Sequence, residues 1–176
     1  MDFLWDNKIV QKALFFATKA HAGQTMKQPF GTPYSAHVVG VLLNAVNFCY
    51  NDKLDWNFLC CCALLHDTLE DTSTTYEQLV SLFGQKVADG VLALTKNENL
   101  PDDEQMLDSI ERIKKQPREI AIVKLADRLF NIRDRVPSWT KQKQDFYIEE
   151  AKLIYENLKL ANENLANALE KAIRKY

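Results

Sequence analysis

From Trp5 to the last ten residues, the apolar side chains of this chain return every three or four positions, and no stretch alternates in the two-residue period of a half-buried strand. The first such segment, residues 5–21, places Trp5, Ile9, Val10, Ala13, Leu14, Phe16, Ala17 and Ala20 on one face of a helix that ends near His21-Ala22-Gly23. Gly23–Pro33 holds two Gly and two Pro among mostly polar residues and reads as a loop. An apolar helical pattern resumes over Val38–Tyr50. Asp55 can cap a very apolar helix through Leu65, and Thr75, after a Ser/Thr break at 72–75, can cap another to about Phe83, where Gly84 stops it. Residues 86–96 form a further helix. Pro101 opens a polar one through Lys115, and Pro117 opens the next. The run Ile120-Ala121-Ile122-Val123 could be a strand in isolation, but its helix-forming neighbours and the lack of a partner strand assign it to a buried helix. Residues 140–173, without Gly or Pro, read as one long helical stretch. The expected fold is therefore all-α, a bundle of about eight helices, and residues 1–176 form one domain with no internal repeat.

Charge and composition narrow the function. A formal net charge of -2 leaves no basic excess to hold a nucleic-acid backbone. No apolar run approaches the roughly 20 residues that cross a bilayer, and the N-terminus lacks a signal-peptide pattern. A cytoplasmic protein with no nucleic-acid or membrane partner is expected. Cys60, Cys61 and Cys62 are consecutive and point about 100° apart on a helix, so with Cys49 they read as reduced core thiols rather than a metal site.

The chemistry-bearing residues gather in Leu64-Leu65-His66-Asp67-Thr68-Leu69-Glu70-Asp71, where four ionisable groups end one of the most apolar helices. A polar helix end in water accounts for Glu70 and Asp71. It accounts poorly for a His-Asp pair directly after Cys-Cys-Cys-Ala-Leu-Leu, because buried polar groups need partners. A bound cation would be one. His37, opening the segment after Pro33-Tyr34, and Asp127, in an apolar helix with Asn131 one turn later, can complete a set of two imidazoles and two carboxylates. Such a set suits a divalent ion such as Mn, Fe, Co or Zn.

Four ordered motifs carry a family resemblance: Ala20-His21-Ala22-Gly23-Gln24, Gly31-Thr32-Pro33-Tyr34-Ser35-Ala36-His37, Ala63 to Thr72, and Lys124-Leu125-Ala126-Asp127-Arg128-Leu129-Phe130-Asn131. Over nearly its whole length the chain resembles the HD-domain (p)ppGpp hydrolases of the RelA/SpoT type, and in size the stand-alone small alarmone hydrolases. The resemblance implies an HD-type bundle with one metal, usually manganese, held by His37, His66, Asp67 and Asp127. It also implies Glu70 and Asp71 as the acidic pair that positions and activates water, and Asn131, Lys27, Lys143 and Tyr147 as substrate contacts. The implied reaction removes the 3′-diphosphate of a small nucleotide, (p)ppGpp, with no synthetase attached. The alternative is the same chemistry on another phosphorylated nucleotide, an adenosine alarmone or NADPH. A purely metal-binding or nucleotide-sensing module would have no need of Glu70 and Asp71.

Three positions depart from the family pattern. Met26 stands beside Lys27 where relatives carry Arg, Phe30 replaces an acidic residue, and Phe130 replaces a frequent His. A methionine packs on a ring without the cation–π or hydrogen-bond contribution of a guanidinium, so base preference is the property these changes touch. His21, at a helix C-terminus, is expected to serve structure by facing the last carbonyls rather than to ligate.

Overall fold

The computed structural model describes residues 7–26, 31–133 and 139–175. Among them are ten α-helices and no strand, only an isolated bridge between Thr25 and Pro33. Helix α1 (Lys8–Ala20) is capped by the Asn7 side chain, which accepts from the Ile9 N–H, and buries Val10, Ala13 and Ala17. The first residues of the expected helix, Trp5 and Asp6, lie outside the described residues. Helix α2 spans Ser35–Cys49 and α3 spans Trp56–Leu65. Asp55 caps α3 by accepting from the Phe58 N–H, and every residue from Phe58 to Leu65 is buried. This helix is apolar on all sides because it has no solvent face: α1, α2, α6 and α8 surround it.

A single turn, α4 (Thr68–Asp71), follows across His66 and Asp67. The hydroxyls of Thr68 and Thr72 donate to the carbonyls of Leu65 and Thr68, taking up acceptors that a helix end leaves open. Helix α5 (Tyr76–Phe83) starts at a Thr75/Gln78 capping box and ends at Gly84, whose φ of 87° is open to glycine at little cost. Then come α6 (Gln85–Leu94), α7 (Asp102–Ile113), α8 (Arg118–Ile132), α9 (Lys141–Leu158) and α10 (Glu163–Arg174). The Ile120–Val123 run lies inside α8, as its helix-forming neighbours require.

The long stretch at 140–173 is not continuous. A 3₁₀ turn at Lys159–Ala161 ends α9, and Asn162 starts α10 by accepting from the Leu165 N–H. The Asn162 amide donates to the Phe48 carbonyl (3.4 Å) and to Asp52 Oδ2 (3.1 Å), tying the corner to the end of α2. Breaking the helix costs backbone hydrogen bonds that the cap partly restores, and it lets α10 pack on α2, α8 and α9. This corner and the one-turn α4 raise the helix number above the expected eight.

The four cysteines are free and buried in the core. Burial pushes the Cys60 and Cys61 thiols up to about 12 and raises Cys62 well above its ordinary value. They are inert packing groups. Among the described residues no helix is long and apolar enough to cross a membrane.

Candidate active site

Three helices bring the metal-ligand candidates together. His37 sits in the first turn of α2, His66 is the C-cap of α3 with Asp67 next in chain, and Asp127 lies on α8. His37 Nε2 is 3.2 Å from His66 Nε2, 3.2 Å from Asp67 Oδ2 and 3.5 Å from Asp127 Oδ1. His66 Nε2 lies 3.0 Å from Asp67 Oδ2 and 3.7 Å from Asp127 Oδ1. Donors about 2.0–2.2 Å from one ion are separated by roughly 3.0 Å at right angles and 3.4 Å at tetrahedral angles. The spacings among His37, His66 and Asp127 run from inside that range to slightly beyond it, their ligand atoms all lying within 4.8 Å of one another, while Asp67 Oδ2 joins the group through its contacts with the two imidazoles.

The chemistry of the donor set agrees. His66 Nδ1 is 2.9 Å from the Ala63 carbonyl, which can only accept, so Nδ1 carries a proton and Nε2 is the nitrogen turned toward the cluster. Burial disfavours a charged His66, yet Asp67 and Asp127 outweigh it and raise its pKa well above the usual imidazole range. Burial likewise disfavours the Asp67 carboxylate, but His66 and His37 hold its pKa well below the ordinary value. Asp127 is held at about 2 against burial, chiefly by His66 and then Lys124. Without an ion, the two carboxylates draw a proton onto imidazole. The set calls for positive charge, and a divalent cation fits it.

Glu70 and Asp71 occupy α4, just beyond the ligands. Glu70 Oε2 accepts from the Lys96 backbone N–H at 2.9 Å. The Tyr34 hydroxyl donates to Asp67 Oδ2 at 2.6 Å and lies 3.3 Å from Asp71 Oδ2, so one phenol touches both a candidate ligand and the acidic pair. Both acids open to the cleft, yet the protein packed around them still strips solvent and raises their pKa values; the neighbouring Asp67 adds to this at each.

His21 is buried and does not cap the helix carbonyls as expected. Its Nδ1 lies 2.7 Å from Gln24 Oε1, and Gln24 Nε2 donates to the Asp71 carbonyl. The ring stacks on Tyr34 at 4.7 Å. Its place is behind the site, supporting Tyr34.

These groups line a cleft of about 800 Å³. Asn131 and Tyr147 line it too, with Asn131 Nδ2 donating to Asp127 Oδ1 at 2.7 Å. Lys143 is not among the lining residues: its ammonium sits 4.9 Å over the Trp139 ring, which in turn packs on Tyr147. Lys27 and Phe30 lie outside the described residues, whereas Met26 and Phe130 reach the wall.

Sequence reasoning passed over Lys96, Lys124 and Arg128, all of which line the cleft. Arg128 donates to Glu150 Oε2 at 2.9 Å and to the Tyr147 carbonyl at 3.4 Å, while its Nε has no hydrogen-bond partner. Lys96 reaches Glu150 Oε1 at 3.4 Å. Lys124 is buried one turn before Asp127, and its pKa is lowered, chiefly by that burial. The available signal was Lys124 and Arg128 flanking Asp127 after the apolar run Ile120–Val123, a place where charge is expensive unless it is used.

An all-α bundle that brings His37, His66 and Asp127 within ligating reach of one another, with Asp67 against both imidazoles and two further carboxylates beside them, defines a helical protein whose buried His/Asp site suits a divalent cation. Residues 13–164 match the HD domain family, and the chain belongs to that family. It is 33% identical over 166 residues to the Danio rerio protein named guanosine-3′,5′-bis(diphosphate) 3′-pyrophosphohydrolase MESH1, covering 92% of this chain and 91% of that one. The Drosophila melanogaster protein of the same name is 34% identical over 168 residues, covering 93% and 92%. A solved structure of a metazoan ortholog of SpoT, described as hydrolysing ppGpp, superposes with a TM-score of 0.82 at 31% identity and covers 96% of each chain.

Proposed function

We propose that this chain is a ppGpp 3′-pyrophosphohydrolase that cleaves the 3′-diphosphate of (p)ppGpp to give GDP or GTP and pyrophosphate. The observation that carries the reading is the grouping of His37, His66 and Asp127, with Asp67 against both imidazoles, in the cleft that also holds Glu70 and Asp71. Relatives named for this activity match the chain over nearly its full length.

The four convergent side chains would hold the cation, for which manganese is our choice. When bound, such an ion makes water more acidic and draws charge from a phosphoryl oxygen. One of the pair Glu70 and Asp71 accepts the proton of a water attacking the phosphorus bonded to the 3′ oxygen; the 3′-O–P bond breaks, and the oxygen leaves on the nucleoside and takes up a proton to become the 3′-hydroxyl. Raised pKa values make both carboxylates better bases than ordinary ones. Lys96, Lys124 and Arg128 balance phosphate charge along the cleft wall. Asn131 holds Asp127 and offers its amide oxygen to the substrate. Tyr147 supplies an aromatic face, and Lys143 acts on it through Trp139. Lys27, from the loop before His37, adds a further phosphate contact. We place the activity in the cytoplasm, in one domain, on a small nucleotide rather than a nucleic acid.

The test is the purified protein with manganese against 3′-phosphorylated guanosine and adenosine nucleotides and NADPH, with phosphate and pyrophosphate both measured. Chelator-sensitive release of pyrophosphate from ppGpp is expected. Orthophosphate alone, or turnover of NADPH but not ppGpp, would overturn the assignment.

A further inference from the structure

Gly40 follows His37 by one turn on α2, and Phe130 follows Asp127 by one turn on α8. A Cβ added to Gly40 would stand 2.0, 2.6 and 2.9 Å from the Cε2, Cδ2 and Cζ atoms of the Phe130 ring. Gly40 has no positive φ, so its backbone does not require glycine; the space does. A glycine inside a helix is less favourable than alanine, and here it admits a ring where any other residue would collide.

The seated ring has a second contact. Phe130 meets the His37 imidazole edge to face, with centroids 5.1 Å apart and planes at 76°. Tyr34 packs against His37 from its own position, also at 5.1 Å. His66 is oriented by a backbone carbonyl, whereas His37 is held between two aromatic rings. His37 and Asp127 belong to different helices, so the seating of α8 on α2 fixes their separation.

We propose that Gly40 and Phe130 are a matched pair of positioning residues: the ring fills the Gly40 notch, sets the approach of α8 to α2, and orients His37 toward Asp127 for the cation. The proposal rests on the four-residue centre binding a divalent ion. Clearing a methyl at Gly40 requires the ring or its helix to move by roughly 1 Å, whereas metal–ligand distances tolerate about 0.2 Å. Residues that orient ligands are typically worth 10–100-fold in metal affinity.

The experiment measures Mn²⁺ affinity by equilibrium dialysis and the visible spectrum of the Co²⁺-loaded protein, with folding followed by circular dichroism. The parent protein is titrated first: failure to bind either ion there defeats the cation-centre reading itself. Given binding by the parent, Gly40→Ala is expected to weaken Mn²⁺ about 10-fold or more and to alter the Co²⁺ bands. Adding Phe130→Leu to Gly40→Ala should recover much of that loss, because the smaller side chain vacates the notch. Phe130→Ala alone should weaken binding several-fold by freeing His37, and it serves the test if Gly40→Ala does not fold. Leu43→Ala, an exposed position one turn on from Gly40, should change nothing. Parent-like affinity and spectrum in folded Gly40→Ala, or in Phe130→Ala, overturns the proposal. So does a double variant as weak as Gly40→Ala alone.

Discussion

Glu150→Ala removes the carboxylate that pairs with the buried Arg128 and reaches Lys96 in the cleft. Glu150 and Arg128 have side chains only 7% and 5% exposed and are joined at 2.9 Å, so solvent screens the pair little. Truncating one partner of a buried pair strands the other charge, at about 3–5 kcal/mol. Arg128 keeps the Tyr147 carbonyl at 3.4 Å and the Tyr147 ring at 5.1 Å, which recovers part of this, so about 3 kcal/mol is the working figure. For a chain of this size each kcal/mol lowers Tm by roughly 2–4 °C, giving a fall of about 6–12 °C. Glu150→Gln keeps an acceptor of the same shape and should lose less. The loss should not be confined to stability. Glu150 also holds the Lys96 ammonium at 3.4 Å, and the Lys96 backbone N–H fixes Glu70, so turnover should fall in the folded variant. Calorimetric melts at fixed metal concentration, with thiols reduced, measure the first effect, and steady-state kinetics well below Tm the second. A Glu150→Ala protein melting within about 2 °C of the parent would refute the reasoning, because the stranded-charge penalty would then be absent.

Glu70→Gln and Asp71→Asn should retain fold and metal while turnover falls roughly 10²-fold or more; near-normal rates with metal bound would make the pair a mere helix end. With both acid pKa values raised by burial, activity should be lost as pH falls through a value above the ordinary 4.5 of a glutamate. A kcat/KM profile flat down to pH 4 would contradict this. Met26 lines the cleft and offers only a soft apolar contact, so the parent should discriminate ppGpp from ppApp weakly and Met26→Arg more strongly. Several-hundredfold preference in the parent, unchanged in Met26→Arg, would locate base reading elsewhere.

The helices were legible because a 3.6-residue period is a local property, and the pair His66-Asp67 because a polar group at the end of so apolar a helix demands a partner. The corner at Asn162 was not, since its sequence favours helix throughout and the reward for breaking it is packing α10 on distant elements. Nor could spacing show that Gly40 receives Phe130, a meeting across two helices. Lys143 drew attention by standing one turn from Tyr147, yet it turns to Trp139, while Lys124 and Arg128 were hidden inside an apolar helix whose partner Glu150 lies 22 residues beyond Arg128.

A net charge of -2 for the chain concealed how the charges are distributed. Among the described residues of the cleft, Asp67, Glu70, Asp71, Asp127 and Glu150 face Lys96, Lys124, Arg128 and Arg133, and a proton drawn onto His66 in the absence of an ion brings the two signs into balance. A cleft so balanced offers a polyphosphate no net attraction. A divalent ion at the proposed ligands would displace that proton and leave these walls net positive, so loading the centre should turn them toward an anionic nucleotide. Substrate affinity should therefore depend on the ion as strongly as turnover does, and the buried cations, too few to bind phosphate alone, become sufficient only beside it.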